Sequence, residues 1–134
     1  MRLTTLLAAF AVALGVTGCG SGPDAPVRAK VDEFAADARH HDYQAICDQV
    51  LATALLERLA AAGVSCPGAV SSALGGVSQP VISIGKVRVN GSRAAVLTLS
   101  AAAGQPASLA QIDLVRESGG WRISALGGTS SGLR

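Results

Sequence analysis

The spacing of apolar residues changes twice along this chain, and each change marks a boundary. Leu3 to Val16 is an uncharged, largely apolar run. From Val27 the period is helical: Val27, Val31, Phe34 and Ala38 follow at steps of four, three and four, with Lys30, Glu33, Asp37 and Arg39 elsewhere on the helix. Asp24 stands at the N-cap position, and Pro26 falls in the first turn, where its missing N–H is harmless. The helix is expected to end near His40-His41. Asp42 then caps a second helix with Tyr43, Ile46, Cys47, Val50 and Leu51 on one face. Leu55, Leu56 and Leu59 carry the apolar pattern to a stop at Gly63, and a break near Ala52-Thr53 would let Thr53 cap a separate helix. Ser65-Cys66-Pro67 opens a further short helix through Leu74, and Gly75-Gly76 ends it.

From Pro80 the period becomes two. Val81–Val89 alternates, but its apolar set moves from Ile82 and Ile84 to Val87 and Val89, with Gly85 at the shift, as a β-bulge requires. Asn90-Gly91 reads as the centre of a type I′ hairpin turn, and Ala94–Ser100 as the returning strand. Ala101–Ala107 reads as a longer loop. Leu109–Glu117 and Trp121–Leu126 form a second hairpin across Ser118-Gly119-Gly120. Residues 127–134 have no core-forming pattern and read as a flexible tail. Helices followed by an antiparallel meander give an α+β class, with N-terminal helices packed on one face of a four-stranded antiparallel sheet.

The leader adds a location. Met1-Arg2 is a basic start, and the apolar run closes on Val16-Thr17-Gly18-Cys19, the order of a secretory signal peptide. Fourteen residues are too few for a permanent membrane helix, which needs ~20. An Ala-x-Ala cut after Ala13 would fall inside the apolar run. Residues 16–19 resemble the lipobox of bacterial lipoproteins. That resemblance implies a diacylglyceryl thioether on Cys19, cleavage just before it, and anchoring on the outer side of the cell membrane. Residues 1–18 are then a signal peptide, 19–24 a tether of ~20 Å at full extension, and 25–126 one domain close to the bilayer.

Loss of the leader leaves 116 residues, with ten Lys+Arg once Arg2 is gone from the eleven, against nine Asp+Glu. Near-neutrality without a basic block, and only Phe34, Tyr43 and Trp121 as aromatics, argue against nucleic-acid binding. Arg outnumbers Lys nine to two and alanine is abundant, as in a high-GC coding sequence. With Cys19 acylated, Cys47 and Cys66 remain as one pair in an oxidising compartment, where a disulfide outweighs a two-cysteine metal or nucleophilic site.

Three stretches carry a second resemblance: Phe34-x5-His40-x-Asp42-Tyr43, Val87-x-Val89-x-Gly91-x-x-Ala94-x-Val96, and Leu114-Val115-Arg116-Glu117-x-Gly119-Gly120-Trp121-Arg122-Ile123. Together they resemble the nuclear transport factor 2-like superfold. The likeness implies a helical hairpin wrapped by a curved sheet, and small exported lipoproteins of high-GC bacteria recur within that group. Such domains often dimerise through the open face of the sheet. The chain departs from larger members in lacking a strand pair between the helices, which puts a deep concave pocket in doubt.

Chemistry is sparse. His40-His41-Asp42 invites a metal, but adjacent helical residues point ~100° apart, and histidines at a helix C-terminus already interact favourably with the dipole. No metal or other cofactor is therefore expected. Asp42 and Tyr43 resemble the ketosteroid isomerase branch of the superfold, where an acid abstracts a proton and a buried tyrosine stabilises the oxyanion. Asp113 faces away from Ile112 and Leu114 by alternation, so no acid is clearly placed inside. Trp121 reads as a core plug. The expected function is a non-enzymatic binding or accessory module of the envelope, meeting another envelope protein, a second copy or a small apolar ligand. The alternative is a small-molecule isomerase or dehydratase built in the cone of the same fold.

Overall fold

The computed structural model describes residues 22–128. The expected signal peptide, its lipobox and Cys19 lie outside the described residues, as does the tail beyond 128. The order is α1 (Ala25–His40), α2 (Tyr43–Ala45), a π-helical turn (Ile46–Val50), α3 (Thr53–Ala61), α4 (Cys66–Leu74), then β1 (Val81–Asn90), β2 (Arg93–Ala102), β3 (Gln105–Glu117) and β4 (Gly120–Gly128). The strands form one antiparallel sheet in sequence order, and the helices pack on one of its faces, so the class is α+β. No helix among the described residues is long and apolar enough to cross a membrane.

The core joins the helical and alternating patterns. Val27, Val31 and Phe34 of α1, with Ile46 and Val50 of the π turn, meet Val96, Ile112, Leu114, Trp121 and Ile123 on the inner sheet face. Each such aliphatic side chain contributes roughly 1.5–3 kcal/mol by leaving water. Thr98 is the buried polar residue of that face, and its hydroxyl donates to the Ala110 carbonyl at 3.1 Å.

The two ends of α1 differ from one another. Asp24 occupies the N-cap position with α-region backbone angles, so its carboxylate cannot fold back on the helix N–H groups as expected. It accepts from Arg28 Nε at 2.8 Å instead. At the C-terminus His41 adopts the left-handed conformation (φ 56°), with His41 N–H bonded to Ala38 O and Asp42 N–H to Asp37 O. That is a Schellman motif with histidine where glycine is usual. Asp42 caps α2 as expected, accepting from Ala45 N–H at 3.0 Å. Ser65 likewise caps α4, accepting from Gly68 N–H.

The break at Ala52-Thr53 is present, but Thr53 is not the cap. Leu51 bridges Ile123 in parallel and Ala52 N–H donates to Ile123 O at 2.8 Å, so the extended backbone ends at Ala52 and Thr53 is already helical. This one-bridge segment also covers the edge of β4. The π-helical turn before it has no counterpart in the periodicity reading.

In the sheet, Gly85 and Lys86 together oppose Leu97, which confirms the bulge. A β-carbon on Gly85 would lie 3.0 Å from Leu97 O, so the position suits glycine. The first hairpin is offset by one residue from the expectation. Asn90 pairs with Arg93, leaving Gly91 and Ser92 as the loop, and only Gly91 has positive φ (59°). Glycine at the first central position is the requirement of a type II′ turn. The expected loop over 101–107 is also replaced by strand. β2 runs to Ala102 and β3 starts at Gln105, with Pro106 in an irregular stretch of β3 that has no partner in β4. β4 continues through Gly128, with Ser124 and Gly127 as extra residues at two register shifts.

Candidate functional site

Alternation gives the sheet two unlike faces. The inner face is filled by the helices, and Trp121 is among the core residues, 4% exposed. Arg116 places its guanidinium 4.8 Å from the Trp121 ring, while the indole N–H is buried without a hydrogen-bond acceptor among the described residues.

The outer face carries the alternate residues of every strand, and no described helix covers it. One half is apolar. Leu99 lies directly opposite Leu109, next to Leu97, and Val81 stands on the neighbouring edge strand. Leu109 is 61% exposed, Val81 54%, Leu99 43% and Leu97 42%. Large aliphatic side chains clustered on one uncovered face mark an association surface more often than scattered surface leucines do.

The other half is polar. Arg88, Ala95 and Asp113 form one cross-strand row, and Asn90, Arg93 and Val115 the next. A cleft of about 370 Å³ opens here, lined by Arg88, Asn90, Arg93, Ala95, Asp113 and Ser124 among others. Asp113 accepts from Gln111 Nε2 at 2.7 Å, and Ser124 Oγ donates to the Asp113 carbonyl at 3.1 Å.

The sequence-derived candidates are dispersed. Cys47 and Cys66 form a disulfide with a Cα separation of 6.0 Å, tying the π turn to the start of α4. His40 ends α1, and His41 meets the Tyr43 ring edge-on at 5.9 Å. Among the described residues no group of three His, Cys, Asp or Glu is placed to hold a metal ion. Asp42 is an exposed helix cap, whereas Asp113 lies on the outer sheet face, so the structure does not bring these acids together around an apolar cone. Burial, with Glu33 and Asp42 nearby, pushes the Asp37 carboxyl above the usual aspartate range. The hydrogen bond from Arg28 holds Asp24 below it. The polar cleft escaped the sequence reading. Its signal was the bulge at Gly85, which fixes which of the β1 residues face outward.

Comparison with family models, curated proteins and solved structures finds no match to this chain.

Proposed function

We propose that this protein is a lipid-anchored, extracytoplasmic binding module. It is held by the diacylglyceryl group on Cys19 and presents the outer face of its sheet to a partner in the envelope. The carrying observation is the exposed Leu99–Leu109 pair, with Leu97 and Val81 beside it, on a face that no described helix covers. Burying a few such side chains supplies several kcal/mol of association free energy, before the cost of losing free motion is subtracted.

Other features agree with this reading. A disulfide suits an oxidising compartment outside the cytoplasm. The helices-then-meander order and the Glu117-to-Ile123 stretch that closes the sheet support a nuclear transport factor 2-like domain. The inner face is occupied by core side chains, which favours work done on the outer surface.

The test is site-specific photo-crosslinking in native membranes, with the reactive group at Leu109 and, as control, at Glu57 on the exposed side of α3. An adduct to a discrete envelope protein or to a second copy, formed from position 109 and lost with Leu99→Asp, supports the proposal. Equal labelling from both positions, or labelling that Leu99→Asp does not change, contradicts it.

A further inference from the structure

We infer that the cleft at the polar end of the outer sheet face is a binding site for a small solute bearing a phosphate or carboxylate together with a hydrogen-bond-donating group. The sheet register places Arg88 opposite Ala95, and Arg93 stands two residues before Ala95 on β2, so the two arginines occupy diagonal positions on one face. Diagonal neighbours lie ~7–8 Å apart, their β-carbons somewhat closer, within reach of two long side chains. Ala95 between them has no bulk with which to fill the gap, and the cleft there holds about 370 Å³, at the small end for ligand pockets.

Of the other five arginines among the described residues, Arg39 lies exposed at the end of α1, away from this face, and the remaining four have partners within the domain. Arg28 pairs with Asp24, Arg58 donates to Ser124 O, Arg122 donates to Asp48 O, and Arg116 stacks on Trp121. Among the described residues, Arg88 and Arg93 enter neither of the ion pairs and none of the side-chain hydrogen bonds. Two like charges at diagonal positions repel less when an anion sits between them, and a guanidinium fork matches the oxygens of a phosphate or carboxylate.

Asp113 narrows the ligand class. It faces Ala95 from the other side and is the carboxylate of the cleft, oriented by Gln111. A site for a plain anionic surface would gain nothing from a negative charge there. A solute with an ammonium or hydroxyl a few bonds from its anionic group would engage both sides.

The experiment is a titration of the full mature chain, in non-ionic detergent micelles, followed by ¹H–¹⁵N NMR at constant ionic strength. The probes are inorganic phosphate and O-phosphoethanolamine, which adds an ammonium. Both are expected to shift the amides of Arg93, Ala95 and Asp113 at millimolar concentration. O-phosphoethanolamine should bind about two- to fivefold more tightly, the worth of one exposed charge contact. Arg88→Gln with Arg93→Gln should abolish both responses. Asp113→Asn should remove the preference and leave phosphate binding intact. No localised shifts, or shifts that persist in the double arginine variant, would overturn the inference. Equal binding of the two probes would overturn its assignment of Asp113. Neither result depends on the apolar half of the face, so the partner surface is tested separately.

Discussion

Glu117, at the end of β3, grips Thr53, the first residue of α3, with both carboxylate oxygens. Oε1 accepts the Thr53 backbone N–H at 2.7 Å and Oε2 the Thr53 hydroxyl at 3.0 Å. The contact spans 64 residues of sequence and stands in for the side-chain cap that α3 does not have from its own N-cap residue, Ala52. Glu117→Ala should therefore cost about 1–2 kcal/mol, the range for losing an N-cap. Thermal unfolding is expected to show a melting temperature lower by about 5 °C or more, with Glu117→Gln recovering part of the loss.

The disulfide joins the buried Cys47 to the start of α4 across a sequence separation of 19. In the chain-entropy model a loop of this length stabilises the fold by about 3 kcal/mol. Cys47→Ser with Cys66→Ser should lower the melting temperature by about 10 °C, and reductant should do the same to the native chain while leaving the double variant unchanged.

His41 sits in the left-handed region, which costs a non-glycine residue roughly 1–2 kcal/mol. His41→Gly should raise stability by up to about 1 kcal/mol in urea unfolding, because loss of the Tyr43 ring contact offsets part of the relief. A fall in stability would mean that the ring contact outweighs the strain.

Asp37 supplies a pH signature. Its folded-state carboxyl is raised by burial first and by Glu33 and Asp42 next, so the folded chain holds this proton more tightly than the unfolded one. Stability then falls as pH rises from the unfolded value near 3.8 through the raised folded value, and the penalty is complete at neutral pH. Asp37→Asn should be more stable than the native chain at pH 7, and the difference should vanish at about pH 3. Asp24 has the opposite sign: its pairing with Arg28 stabilises above its unfolded value and is lost as pH falls through the depressed one.

Elements defined by one local rule were readable from the residues alone. The four-three-four spacing of Val27, Val31, Phe34 and Ala38 gave α1, and the apolar shift around Gly85 gave the bulge. Features that depend on distant partners were not. Thr53 looked like a cap because nothing local reveals that Leu51 and Ala52 are held extended against Ile123. Asn90-Gly91 reads as a type I′ pair, but register set by the buried Ala94 and Val96 and the half-buried Val89 on the inner side of the sheet moves the loop by one residue. The Glu117-Ser118-Gly119-Gly120-Trp121 stretch is visible as a pattern, while the role of Glu117 in holding α3 emerges only from the packed hairpin. The polar cleft needed the register of three strands at once, which alternation within each strand does not supply.

Lipidation of Cys19 as the first residue of the mature chain, as proposed, fixes which partners the outer sheet face can meet. The most direct test is the intact mass of the protein extracted from its native membrane, before and after reduction and alkylation. Anchoring through Cys19 predicts loss of residues 1–18, an added diacylglyceryl group, and two thiols that become alkylated only after reduction. An unlipidated mass, whether of the uncleaved chain or of one cut after Ala13, would contradict it.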